Sequence, residues 1–196
     1  AQTTRHRIMG IVNGEDYQIV FSDTPGILKP NYMLQESMMD FVHTAITDAD
    51  IILYVTDVIE KIDKNKEYID KLNNVECPVL IAINKLDESS QERVIELVEK
   101  WHSLVPKAEI LPISALNKFN VDTLLKRIVE LLPQQHAWYD RDVFTDKSMR
   151  FFASEIIREK ILQNYNKEIP YCTEVVIESF EESEEIYNIS ATPKRD

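Results

Sequence analysis

The sequence predicts an α/β protein: a mostly parallel sheet with one antiparallel edge strand and helices on both faces, followed by a partial α+β unit. Residues 51–56 (I-I-L-Y-V-T), 79–83 (V-L-I-A-I) and 109–113 (E-I-L-P-I) are near-continuous apolar runs, the pattern of strands covered on both faces. Helical stretches alternate with them, which favours parallel strands joined by crossovers. Two further β-rich runs near the start are joined by N-G-E-D and supply the antiparallel edge.

Taken in order, residues 6–12 and 17–21 form a hairpin, because Asn13-Gly14 is a strong reversal signal. Helices are expected at 33–47, roughly 64–73, 90–105 and 121–132, one after each of the later strands or before it. Pro133 ends the last of them, since its ring removes a helical donor. The stretch 134–146, Q-Q-H-A-W-Y-D-R-D-V-F-T-D, has no clear periodicity and is expected as a linker. The chain then divides into 1–133, the linker 134–146, and 147–196. The second unit opens with a helix near Asp146, apolar at Met149, Phe152, Ile156 and Ile161, and continues as strands 173–180 and 185–192. One helix and a hairpin make a poor core alone. The acidic run 181–185 reads as a solvated hairpin tip.

Composition narrows the function. A chain of 196 residues with 44% hydrophobic content can bury one core and a smaller neighbour. The formal charge of −12 opposes indiscriminate attraction to phosphate backbones, so DNA is not an expected partner and any RNA contact must be local. From Asp140 onward 13 acidic side chains face 8 basic ones, so this half carries no basic footprint. Cys77 and Cys172 read as small buried hydrophobes, and the four histidines show no ligand spacing. No apolar run approaches the ~20 residues that span a bilayer. The start, A-Q-T-T-R-H-R, lacks an apolar signal core, so a cytoplasmic protein without a secretory leader is expected; the missing initiator Met suggests an upstream piece.

Ligands of open α/β sheets bind at the carboxyl ends of the strands. Asp23-Thr24-Pro25-Gly26 follows the second strand, Asn84-Lys85-Leu86-Asp87 the fourth, and Ser114-Ala115-Leu116 the fifth. Alone, D-x-x-G is equally good turn chemistry, and N-K-x-D could be a polar loop with a surface ion pair. N-K-x-D has a sharper reading. Guanine presents an N1–H and an N2–H2 side by side, and the Asp87 carboxylate can accept both, whereas adenine offers no such pair. Asn84 would bridge neighbouring loops, the aliphatic stem of Lys85 would cover the ring face, and the backbone N–H of Ser114-Ala115 suits the guanine O6. All three motifs occurring in order, each after a strand, makes coincidence improbable.

This constellation resembles the P-loop GTPases, and implies a Ras-like sheet, GTP or GDP as ligand, and Mg²⁺. Gln2-Thr3-Thr4-Arg5 then resembles the switch I segment, with Thr4 as the Mg²⁺ ligand and Thr3 as runner-up. Asp23 would hold the Mg²⁺ shell, commonly through water, and Gly26 would let its N–H approach the γ-phosphate. Thr4, Asp23 and Gly26 are therefore the expected catalytic set. Ile27 stands where Ras-type proteins carry a water-orienting glutamine. That resembles bacterial ribosome-associated GTPases, in which backbone groups, a partner or K⁺ supply the missing order, and slow intrinsic turnover is expected.

Q-T-T-R-H-R-I-M-G-I, D-T-P-G-I and N-K-L-D, together with F-T-D-K-S-M-R-F-F-A-S-E-I-I-R-E-K-I, E-I-P-Y, V-V-I-E-S-F and I-S-A-T, resemble the Era family. The resemblance covers nearly the whole sequence. It implies a type II KH-like RNA-binding second domain, binding to the 3′ region of 16S rRNA in the small ribosomal subunit, and release on GTP hydrolysis. Peripheral association with the inner membrane has been connected with the family, but no amphipathic basic helix supports it here. The family also has an upstream G-x-x-x-x-G-K-[ST] loop and a KH G-x-x-G loop, neither found in these residues, which hold three glycines where average usage gives roughly 14. A fragment with impaired binding and hydrolysis is the expectation. A catalytically inactive GTPase-like scaffold, and a GTPase of tRNA modification or the large subunit, are the competing readings.

Overall fold

The computed structural model describes residues 4–28, 30, 33–60, 62, 66–164, 173–183 and 186–195. The elements run β1 (Ile8–Asn13), β2 (Gln18–Asp23), α1 (Met33–Asp48), β3 (Ile52–Asp57), α2 (Lys66–Asn74), β4 (Val79–Asn84), α3 (Gln91–Leu104), β5 (Glu109–Pro112), α4 (Val121–Leu131), α5 (Met149–Asn164), β6 (Thr173–Glu182) and β7 (Tyr187–Arg195). Contacts divide the chain into two compact units, Ile27–Trp138 and Ala1–Gly26 with Tyr139–Asp196. The α/β class with a parallel sheet is what the sequence predicts. One difference is that the β1–β2 hairpin forms its own two-stranded sheet; among the described residues no ladder joins it to the parallel sheet.

In the Ile27–Trp138 unit the parallel sheet has the order β3-β4-β5. Its register sets Asp57 opposite Asn84, so the carboxyl ends of neighbouring strands finish level. Val79 to Ile83 of β4 are all buried, as a central strand covered on both faces requires. Ile81 and Ile83 pack with Ile69 and Leu72 of α2 and with Leu97 and Trp101 of α3. The i, i+4 spacing of Leu97 and Trp101 puts both on one face of α3. Ser90 starts that helix by accepting a hydrogen bond from the Arg93 N–H at 3.4 Å. A smaller cluster joins Met38, Met39 and Val42 of α1 to Tyr68 of α2.

In the other unit, β1 and β2 pair antiparallel, and the Gly14 N–H donates to Tyr17 O at 2.9 Å. A Cβ on Gly14 would stand 2.2 Å from the Tyr17 ring, so any larger residue there requires that ring to move. The stretch expected as a linker is not loose beyond Tyr139. The Ile11 N–H donates to Phe144 O at 2.8 Å and the Tyr139 N–H to Gln18 Oε1 at 3.0 Å, while Gly10 bridges Thr145. Asp146 accepts from the Met9 N–H at 2.9 Å, and α5 accordingly begins at Met149 rather than near Asp146.

The stripe expected to face the core of the second unit is partly wrong: Met149 and Ile156 are exposed. Phe152 and Ile161 of that stripe are half-buried, and the buried residue of α5 is Arg158, paired to Glu155. Beside α5, β6 and β7 form an antiparallel pair that continues to Thr173 and Arg195. The E-I-P-Y tract, Cys172, Gln2 and Thr3 lie outside the described residues. Among the described residues no helix is long and apolar enough to cross a membrane.

Candidate functional site

The carboxyl ends of β4 and β5 are stitched together by side chains from the two motifs expected there. Asn84, the last residue of β4, uses Oδ1 to accept from the Lys85 N–H at 2.8 Å and from the Ala115 N–H at 3.0 Å. The Leu86 N–H donates to Ile113 O at 3.2 Å. Asp87 sits in a short 3₁₀ turn, Leu86–Glu88, and its Oδ1 accepts from Ser114 Oγ at 2.5 Å. That distance is normal for a hydroxyl donating to a carboxylate. Ser114 is buried and Asp87 exposed, so a buried hydroxyl aims an exposed acceptor. Each carboxylate oxygen has two lone-pair sites, so Asp87 keeps capacity for a second donor pair.

Asn84 bridges the two loops, as its place in the motif suggests. The Ala115 N–H differs from expectation: it donates to Asn84, so contact with a guanine O6 would have to share or replace that hydrogen bond. Leu116 is 83% exposed and contributes a bare apolar side chain to the loop rim. The loop closes where Ser114 and Phe119 exchange backbone hydrogen bonds, with Lys118 and Asn120 both at positive φ.

Lys85 takes the left-handed conformation, φ 63 and ψ 38. Its ammonium lies 2.7 Å from Asp57 Oδ2, at the end of β3. The hydrogen bond from Lys85 holds the Asp57 carboxyl below the usual carboxylate range, and the same contact raises the Lys85 ammonium. Sequence reasoning missed Asp57. The rule that singled out the ends of the second, fourth and fifth strands applies equally to the third and would have found it.

In the other unit, Thr4 Oγ1 donates to Asp23 Oδ2 at 3.2 Å. Both are hard oxygen ligands. Two neighbouring ligands of an octahedral Mg²⁺, each at about 2.1 Å, stand about 3 Å apart, so this pair fits one edge of such a site. Among the described residues no three His, Cys, Asp or Glu converge on a metal position. A hard cation held by one or two protein groups and completed by phosphate oxygens and water is the usual Mg²⁺ arrangement. Arg5 is buried and donates to Thr173 O at 3.2 Å, which ties the threonine segment to β6.

Past Asp23, Thr24 is half-buried, Pro25 buried and Gly26 exposed. A Cβ built on Gly26 meets nothing within 4 Å, and its φ is not left-handed. Among the described residues, nothing demands glycine there. Ile27 packs against the Met38, Met39, Val42 and Tyr68 cluster, which accounts for an apolar residue at that position. Cys77 is half-buried, and burial pushes its thiol up, away from thiolate reactivity.

A three-stranded parallel sheet with N-K-x-D and S-A loops at its strand ends, together with a D-x-P-G loop and a threonine beside the aspartate, defines a protein of the GTPase class. The family described as 50S ribosome-binding GTPase matches residues 1–85. GTPase Era of Clostridium perfringens strain ATCC 13124 is 40% identical over 190 residues, 96% of this chain and 64% of its own length. GTPase Era of Clostridium botulinum strain Eklund 17B is 41% identical over 184 residues, 93% of this chain and 62% of its own. The crystal structure of Era in complex with MgGDPNP and nucleotides 1506–1542 of 16S ribosomal RNA superposes with a TM-score of 0.90 at 32% identity, covering 100% of this chain and 68% of that one. Aquifex aeolicus Era bound to GDP and AlF4⁻ gives a TM-score of 0.89, also at 32% identity, covering 98% of this chain and 67% of that one. The chain belongs to the Era family of GTPases. It spans about 64% of the length of the first of these curated relatives.

Proposed function

We propose that the protein is a guanine-nucleotide switch that binds GTP and GDP with Mg²⁺, hydrolyses GTP, and assists small-subunit assembly by binding the 3′ region of 16S rRNA. The observation that carries the nucleotide part is the pair of hydrogen bonds Ser114 to Asp87 and Ala115 to Asn84, which hold an exposed carboxylate at the end of the parallel sheet. Asp87 accepts the guanine N1–H and N2–H2. Asn84 holds the two loops together, and the stem of Lys85 covers the base.

Thr4 and Asp23 would hold Mg²⁺, which when bound neutralises the charge gathering on the phosphates. Gly26 leaves room for its own N–H to meet the terminal phosphate. Ile27 is turned into an apolar cluster and cannot orient the attacking water, so backbone groups, a partner or K⁺ must do so, and turnover without them is slow. The rRNA part is supported by the likeness over both units to the Era complex with 16S rRNA nucleotides. We place the protein in the cytoplasm with the ribosome.

The test is nucleotide binding by the full-length protein, GTP against ATP and XTP, with Asp87→Asn beside it. GTP is expected to bind far more tightly than ATP. The substitution should weaken GTP and favour XTP, whose C2 oxygen accepts from the new amide. Equal affinity for GTP and ATP in the unaltered protein would leave the inactive-scaffold reading standing instead.

A further inference from the structure

Asp57 lies outside every motif of the nucleotide site, yet it holds the one lysine of that site at its far end. Its carboxylate is divided between two tasks. Oδ1 accepts from the Ile59 N–H at 2.9 Å and the Glu60 N–H at 2.8 Å, closing the turn that follows β3. Oδ2 receives the Lys85 ammonium at 2.7 Å. The near end of Lys85 is fixed as well, because its N–H donates to Asn84 Oδ1 and its carbonyl accepts from the Glu88 N–H at 2.9 Å. A four-carbon side chain that would otherwise sample many rotamers is thus held at both ends.

The surroundings make the direction of that hold consequential. Asp87 and Glu88 belong to the short turn that Lys85 itself starts, so both carboxylates lie within a few residues of its backbone. Asp87 is the carboxylate whose lone pairs the base needs. An ammonium released by Asp57 can swing toward Asp87 and compete with guanine for them. We infer that Asp57 is a positioning residue of the nucleotide site, holding the Lys85 ammonium away from Asp87 so that the lysine stem lies across the base and the Asp87 carboxylate stays open to guanine. This rests on the guanine-site reading above. Stability is not the point of the pair: its side chains are 43% and 24% exposed, and half-exposed ion pairs contribute little to folding.

Asp57→Asn is a clean probe. The asparagine Oδ1 can still close the turn, while its amide offers the ammonium nothing to pair with. In the full-length protein at low salt, Asp57→Asn should weaken GDP about threefold to tenfold with the melting temperature little changed. The deficit should shrink as salt screens the competition. In a Lys85→Met background, which keeps an apolar stem and removes the ammonium, the same substitution should change GDP affinity by less than about twofold. Equal losses in both backgrounds, or no loss in the lysine protein, overturn the role of Asp57. Asp87→Asn in parallel separates the two layers. If it fails to trade GDP for XDP, the guanine reading falls and this inference with it; if the trade occurs while Asp57→Asn is silent, only the role of Asp57 falls.

Discussion

Ser114 Oγ donates to Asp87 Oδ1 across 27 residues of chain, joining the end of β5 to the turn after β4. The same hydroxyl oxygen accepts from the Asn117 N–H at 3.2 Å. One buried side chain therefore shapes its own loop and aims the neighbouring carboxylate. Ser114→Ala should cost about 1 kcal/mol of stability, the usual net worth of such a hydrogen bond, and should weaken GDP by roughly fivefold as Asp87 loses its orientation. Calorimetric titration with GDP and a thermal melt measure the two effects. A destabilised protein with unchanged GDP affinity would mean that Asp87 needs no such guide.

Gly26 gives a prediction of the opposite kind. Because a Cβ there meets no atom within 4 Å, Gly26→Ala should leave stability within about 0.5 kcal/mol of the parent. A triphosphate analogue should bind at least about tenfold more weakly, with GDP changed less than about twofold, since only the terminal phosphate would approach that backbone. Parallel titrations with GDP and a non-hydrolysable GTP analogue decide it. A uniform loss for both nucleotides would place the obstruction elsewhere.

The Asp57–Lys85 pair sets the expected pH profile. Lys85 lowers the Asp57 carboxyl, so its contribution is present above the unfolded pKa and is lost as pH falls through the lower folded value. Asp57 raises the Lys85 ammonium, so that contribution is present below the unfolded lysine pKa and is lost as pH rises through the higher folded one. Both charges therefore persist between about pH 5 and pH 9, and the ratio of GDP affinities of the parent and Asp57→Asn should be flat across that window. Titrations at several pH values test this. An inflection in that ratio would mean that another titrating group acts on the pair.

The sheet was readable because Val79 to Ile83 and the runs beside it are apolar without interruption, a pattern that depends on local sequence and burial alone. The meeting of Asn84, Asp87 and Ser114 was readable because each stands just past a predicted strand of one sheet, where chain ends converge. Periodicity misplaced Met149 and Ile156, which are exposed, while α5 buries Arg158 beside a half-buried Glu155. The stretch beyond Tyr139 carries no strand pattern, and its pairing with β1 and β2 depends on hydrogen bonds across more than a hundred residues of chain.

By itself, then, the sequence determined the α/β class, the order of the elements and the identity of the groups gathered at the ends of β4 and β5. Tertiary structure alone decided that Asp57 receives the Lys85 ammonium, that the Ala115 N–H is taken by Asn84, and that Ile27 packs beneath α1. Those are pairings between atoms distant in the chain, fixed by the register of β3 on β4 and by packing. No local pattern encodes such distances.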